Sequence, residues 1–408
     1  MNNKPLEGIK VVDFGQHGAG SACGKVLADW GADVIKIEAF AGCGSRKAGG
    51  QLGLSTADRD NIHHEIVNGN KRSIAINLKD PAGLAIVDKM ISEANIFFSN
   101  YRLKALKKFG FDYETLSAKY PHIIWGHLSG FGNKGPQADD AGFDVVAYWA
   151  KSGLLMDLTE KGSAPNTAPF GIGDFNVGYS LAAAMSACLY KQLKTGKGEK
   201  VENSLYGHAV WTIASQVQST TKGDKYPKSR KTDAVSPFIN SYKCADDTWL
   251  FTAVMDYPGQ FPRLANMIGK PELVDDPKFA NIVEAKKNEA ELVAYFDEWY
   301  GKHNWEEVDA TLLSLDIAHS RINHFADVSK DPQAIANGYV YPFTTRGGET
   351  EIMISSPVKF GEGGPFEHKN APLIGEHTTE VLKEFGYSDA EIAKLFEDKV
   401  VIENHFKG

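Results

Sequence analysis

Residues 10–38 read KVVDFGQHGAGSACGKVLADWGADVIKIE. Lys10 to Phe14 is an apolar run of strand length, and Gly15, Gly18 and Gly20 crowd the turn after it. A helix to about Trp30 follows, and Asp33 to Glu38 returns to strand character. Strand, glycine turn, helix and strand in so short a span make a βαβ unit. Such a unit requires parallel strands joined by a right-handed crossover.

The same alternation continues downstream. Ser73 to Leu78 (SIAINL) reads as a strand, and Pro81 opens a helix at its first turn, where proline is tolerated. Ala94 to Ser99 is a further strand, Leu116 to Tyr120 ends a helix, and His122 to Leu128 is the strand after it. Thirteen decades of residues built this way indicate an α/β fold with a doubly wound, Rossmann-like large domain over residues 1–225. Asp174 precedes a small, apolar run, Leu181 to Tyr190, that reads as a buried helix and is far too short to cross a bilayer.

Near residue 220 the character changes. Lys222, Lys225, Lys228, Arg230 and Lys231 share a polar stretch with Gly223 and Pro227, which reads as a linker. The segments SYKC and TWLFTAV then flank Asp246-Asp247 as a hairpin. Leu292, Tyr295, Phe296 and Trp299 recur at helical spacing, and Asn304 with Glu307 forms a capping start. These features define a smaller α+β domain over 230–330. Residues 331–408 return to the large domain and end in helices at Thr378–Phe385 and Asp389–Phe396.

Composition narrows the function classes. The 408 residues carry 42% hydrophobic and 24% charged side chains, with a formal net charge of -8. A nucleic-acid-coating protein is normally basic, so nucleic acid is not expected as a partner. Cys23, Cys43, Cys188 and Cys244 lack the short spacings of metal or redox pairs and read as reduced thiols, Cys188 as core. The opening MNNKPLEGIK has no apolar signal region, so a cytoplasmic protein without membrane partners is expected. The twelve histidines form no HExxH, and neither GxSxG nor GxxxxGK[ST] occurs. Zinc, a serine nucleophile and ATP activation are therefore not indicated.

Three features carry chemistry. Gly18, Gly20 and Cys23 approach the dinucleotide fingerprint, and Glu38 lies where a ribose-binding acid would stand, which suggests an NAD-dependent dehydrogenase. Cys23 at the third glycine position breaks that pattern, and a ligand turn and a plain strand–helix turn both remain open. The second feature is GIGDFNVG, residues 171–178, with Asp174 among glycines at a helix start. Its plain reading is an N-cap; the other is a carboxylate that a bulky ligand can reach. Asp144 in GFDVV is the rival acid. Third, Arg46, Lys47, Lys71, Arg72, Lys79, Lys107 and Lys108 gather near strand ends. Singly they read as solvated surface; together they suit a ligand with several phosphates.

Taken in order, several segments resemble the class III CoA-transferases, the family of formyl-CoA transferase and carnitine CoA-transferase. They are LEGIKVVDFG, GADVIKIE, NGNKRSIAINLKDPAG, SNYR at 99–102, LSGFGNKGP, GFD at 142–144, GDFNVG and APLIGEHTTEVLKEFG. The resemblance spans almost the whole chain. It implies a nucleophilic aspartate at Asp174 and a CoA-binding turn at Gln16, His17, Gly18 and Ala19. It implies further CoA contacts at Ile76, Asn77, Leu78 and Lys79, at Asn100, Tyr101 and Arg102, and at Lys108. Phe143 and Asp144 fall on the family's aromatic-acid pair. Two features depart. Formyl-CoA transferase has an arginine after VIKIE where Ala39 stands, with Arg46 as a substitute, and its tetraglycine loop is missing near 235–245.

The resemblance also implies a homodimer of two chains interlocked as rings. It implies a CoA thioester as substrate, with no permanently bound cofactor and no metal. The fold's α-methylacyl-CoA racemases place a histidine where Phe143 stands, so a racemase is a weaker reading. LKALKKFGFDYETL, GFDVVAYWAKSGLL and SPFINSYK resemble the 2-hydroxyacid CoA-transferases of amino-acid-fermenting anaerobes. Leucine-derived (R)-2-hydroxyisocaproate is the expected acid, with (R)-phenyllactate as the alternative.

Overall fold

The computed structural model describes residues 4–361 and 368–407. The chain divides into two compact units. One holds 1–152, 168–215 and 331–408; the other holds 153–167 and 216–330. The lysine-rich stretch read as a linker thus lies within the second unit.

The first unit is built on a sheet of seven strands: β1 (Lys10–Phe14), β2 (Asp33–Glu38), β3 (Arg72–Ile76), β4 (Ile96–Ser99), β5 (Ile124–Ser129), β6 (Lys200–Ser204) and a short β12 (Val401–Ile402). Their order is β12-β3-β2-β1-β4-β5-β6, and only β12 runs antiparallel to its neighbour. β1, β2 and β4 are buried almost end to end, as parallel strands covered on both faces must be. Val12, Phe14, Ile35, Ile37, Ile74, Phe97 and Trp125 fill one core with Ile86, Met90, Val381 and Leu382 from helices. A hairpin of β10 (Val340–Thr344) and β11 (Thr350–Ile354) belongs to the same unit.

The second unit has a three-stranded antiparallel sheet of β7 (Ile239–Lys243), β8 (Trp249–Ala253) and β9 (Ala318–Arg321). Its core gathers Phe238, Tyr242, Leu250, Phe261, Phe296, Tyr300 and Leu312. The Asn304 and Glu307 capping box is present, closing the start of the helix Trp305–Ser314.

Two sequence expectations need correction. The long helix runs from Ile172 to Thr195, so Asp174 lies inside its first turn and is not its cap. That helix is also amphipathic and not buried throughout. Val177, Leu181, Met185 and Leu189 face the core, while Leu193 is 79% exposed and Cys188 is only partly covered. Among the described residues no helix is long and apolar enough to cross a membrane.

Candidate active site

Strand order reverses on either side of β1, where β1 and β4 run side by side with Phe14 level with Ser99. Open parallel sheets hold ligands in the crevice that this reversal leaves at the carboxyl ends of the strands. Here the crevice is closed at its base. Gln16 donates its backbone N–H to Asn100 Oδ1 at 2.7 Å, and Asn100 Nδ2 returns a bond to Gln16 O at 2.8 Å. A cleft of about 300 Å³ opens above this pair. Gln16, His17, Ala19, Asn100, Tyr101, Arg102, Phe143 and Asp174 all line it.

The first turns of two helices meet in this cleft. One is the helix His17–Asp29, the other Ile172–Thr195. Gly18 on the first touches Asp174 on the second so closely that a Cβ at Gly18 would lie 2.1 Å from Asp174 Oδ2. Any side chain there would displace the carboxylate. Asp144 performs the capping that local sequence assigned to Asp174. Its Oδ2 accepts the N–H of Gly171 at 2.7 Å and its Oδ1 that of Gly173 at 2.9 Å. These donors are among the unsatisfied N–H groups of the long helix.

The two acids therefore differ. Burial raises the pKa of Asp144, and its backbone donors oppose that rise. Asp174 is pushed up to about 7, by burial first and by the Asp144 charge second. Among the described residues nothing donates a hydrogen bond to the Asp174 side chain. Burial and the Asp144 charge thus act against the helix N-terminus, which favours the anion. A desolvated carboxylate of raised basicity, open to a cleft, is equipped for nucleophilic attack.

His17 stands in the left-handed region, with φ +55. Its ring meets Phe143 edge-on at 5.7 Å, and partial burial, then the Lys36 charge, lower its pKa. Other residues named by the resemblance lie elsewhere. Ile76 is fully buried in the core at the end of β3, and Asn77, Leu78 and Lys79 follow it, separated from β1 by β2. Lys108 is exposed in the last turn of the helix Leu103–Phe109. None of these five lines the cleft. Arg46 is buried and spent on Glu38, at 2.8 and 2.6 Å, and on Pro372 O at 2.9 Å.

Glu38 likewise cannot serve a ribose. It is fully buried and accepts from Arg46, Cys43 N and Ser73 Oγ. Burial alone would raise its pKa, yet the Arg46 bonds and charge bring it down to about 2. This removes the residue on which the dehydrogenase reading rested.

Sequence reading missed His127 and Asn133. The imidazole Nε2 of buried His127 bonds Tyr101 O at 2.8 Å, and its Nδ1 meets Asn133 Nδ2 at 2.9 Å. Both residues line the cleft and fix one wall of it. Asn133 lies in the quoted LSGFGNKGP segment, but nothing local marks its partner.

Comparison with known proteins places the chain in a family. The profile of CoA-transferase family III matches residues 6–378. An (R)-2-hydroxy-4-methylpentanoate CoA-transferase of Clostridioides difficile is 36% identical, over 97% of this chain and 99% of the relative. A cinnamoyl-CoA:phenyllactate CoA-transferase of Clostridium sporogenes is 35% identical, over 98% of each chain. The crystal structure of a CAIB/BAIF family protein from Brucella suis superposes with a TM-score of 0.77 at 29% identity, covering 94% of this chain and 100% of that one. The chain belongs to CoA-transferase family III and is an enzyme of that class.

Proposed function

We propose that this enzyme moves CoA from an acyl- or enoyl-CoA to an (R)-2-hydroxy acid such as 2-hydroxyisocaproate, with Asp174 as nucleophile. The observation that carries the reading is the Asp174 carboxylate, partly desolvated, without a hydrogen-bond donor among the described residues and set in the switch-point cleft. The names of the two relatives support the acid class.

In this scheme a carboxylate oxygen of Asp174 attacks the thioester carbonyl. The C–S bond breaks, CoA thiolate leaves, and an acyl-aspartyl anhydride remains. The thiolate then attacks the aspartyl carbonyl, which forms an aspartyl-CoA thioester and frees the first acid. The 2-hydroxy acid enters as carboxylate and reverses both steps. The thioester bond is exchanged and not consumed, so the scheme calls for neither ATP nor a metal. Backbone N–H groups at the start of the helix His17–Asp29, around Gly18, would stabilise the oxyanions, since those at Gly171 and Gly173 are taken by Asp144. The CoA tail, bound along the turn Gln16–Ala19 and near Asn100–Arg102, would supply positioning. Ile76–Lys79, Lys108 and the pair Phe143–Asp144 remain proposed CoA contacts.

The enzyme is further proposed to act as a cytoplasmic, interlocked homodimer. Large apolar side chains left open on the first unit favour a self-association face, among them Phe143 at 57%, Trp211 at 77% and Leu193 at 79% exposure.

The test mixes isocaproyl-CoA or cinnamoyl-CoA with (R)-2-hydroxyisocaproate or (R)-phenyllactate, without ATP, and follows the CoA esters by mass spectrometry. A new 2-hydroxyacyl-CoA is expected from the wild type, with a loss of at least about 10³-fold in Asp174→Ala. Transfer that survives the substitution would remove Asp174 from the role.

A further inference from the structure

The cleft contains two histidines in opposite states. His127 spends both ring nitrogens, on Tyr101 O and Asn133. His17 spends neither on a hydrogen bond among the described residues. Its backbone is nonetheless held at φ +55, a conformation few residues other than glycine adopt and one that concentrates at functional sites. Its ring is also located from two sides. Phe143 meets it edge-on, and a Cβ on Gly44 would lie 2.2 Å from its Cε1 and Nδ1. His17 is exposed, so these neighbours limit where the imidazole can lie without enclosing it, and its polar capacity is unspent among the described residues.

His17 directly precedes Gly18, whose Cα lies against the Asp174 carboxylate. An acyl group carried on an Asp174 oxygen has its carbonyl carbon one bond away and carbon 2 two bonds away. A substituent on carbon 2 therefore falls within the cleft that His17 also lines. The lowered pKa makes the ring neutral at neutral pH, so one nitrogen donates and the other accepts. A hydroxyl has the same two capacities.

We propose that His17 is a specificity-determining residue whose imidazole hydrogen-bonds the 2-hydroxyl of the bound acid. This deepens, and rests on, the reading of the enzyme as a 2-hydroxyacid CoA-transferase. The acid that carries the hydroxyl gains this bond over the analogue that lacks it.

The experiment compares two acceptors of one skeleton, (R)-2-hydroxyisocaproate and isocaproate, with one enoyl-CoA donor. The readout is the ratio of their kcat/KM values. In His17→Ala this ratio is expected to fall about tenfold, the worth of one net hydrogen bond. In His17→Asn, which tolerates the left-handed backbone and keeps a donor and an acceptor, a smaller fall is expected. Gly44→Ala gives an independent handle. The Gly44 backbone is right-handed, at φ -59, and the three atoms nearest to its added methyl all belong to the His17 ring. It should lower the ratio in the wild type and have little effect in His17→Ala.

A ratio unchanged within about twofold in His17→Ala, or a Gly44→Ala effect of equal size in both backgrounds, would overturn the role of His17 and leave the function intact. A wild type that uses isocaproate but no 2-hydroxy acid would instead overturn the substrate class, and the His17 role with it.

Discussion

The glycine turn after β1 separates two regions that treat buried charge in opposite ways. Beneath it, Asp13 and Lys36 are fully buried and Lys71 nearly so. Asp13 Oδ2 meets Lys71 Nζ at 2.8 Å and Lys36 Nζ at 3.7 Å, while its Oδ1 accepts the Gly15 N–H at 2.8 Å. Lys36 also donates to Gly15 O at 2.9 Å, and Lys71 to Ser21 O at 2.7 Å and Asn68 Oδ1 at 3.0 Å. Above the turn, Asp174 and His17 have no such partners among the described residues. Asp174 is only partly covered and His17 is exposed, so the two regions differ in burial and also in the state of their hydrogen-bonding capacity: spent below, where it fixes the turn, and unspent above, where substrate can use it.

If that division is right, substitutions below should act on stability and those above on rate. The largest effect is expected at Asp13→Asn. The amide can still accept from Gly15 N–H, but Lys36 and Lys71 lose their shared counter-charge. Burial and the Lys36 charge already depress Lys71 to about 8 against the pull of Asp13. A loss of about 3–5 kcal/mol is expected from the denaturant midpoint. A loss below about 1 kcal/mol would mean that the lower network is not held by charge balance.

Above the turn, Gly18→Ala is the matching change. The new methyl would push the Asp174 carboxylate, while the helical backbone of Gly18 accepts alanine. A misplacement of about 1 Å at a reacting group costs roughly 100-fold, so kcat/KM should fall by about that factor with little change in thermal midpoint. A variant that unfolds easily but turns over normally when folded would erase the contrast between the two regions.

How much of this was legible in the sequence follows from the range of the interactions. β1, β2 and β4 are buried on both faces, and their unbroken apolar runs show it locally. The Gly18 turn was visible for the same reason, as a short motif beside readable strands, and the glycine-flanked Asp174 as a short motif before a readable helix. Asp144 was not legible as the cap, because its partners Gly171 and Gly173 are 27 and 29 residues away. β6, with the sequence KVENS, has little apolar character and exists through its pairing with β5. The wall built by His127 depends on that pairing as well, since Glu202 of β6 holds Asn133 at 2.5 Å. Glu38 misled because spacing from Gly18 cannot reveal that Arg46 folds back onto it.

The smallest expected effect tests the unspent state of Asp174 itself. Its folded pKa of about 7 lies above the ordinary carboxylate value near 4, so the folded state holds the proton more tightly than the unfolded chain. Stability should therefore fall as pH rises from about 4 to about 7 and be level above that. Asp174→Asn removes this loss. The shift alone corresponds to about 4 kcal/mol at most, and solvent in the cleft reduces it, so a gain of about 2 kcal/mol at pH 8 is expected. The gain should shrink toward zero near pH 4. The same titration should appear in the wild-type rate: kcat/KM for the thioester should rise about tenfold per unit below pH 7 and then plateau. A gain of equal size at pH 5 and pH 8 would trace it to packing and not to ionisation. The Asp174 carboxylate would then be no costlier to bury than an amide, and the contrast across the turn would reduce to exposure alone.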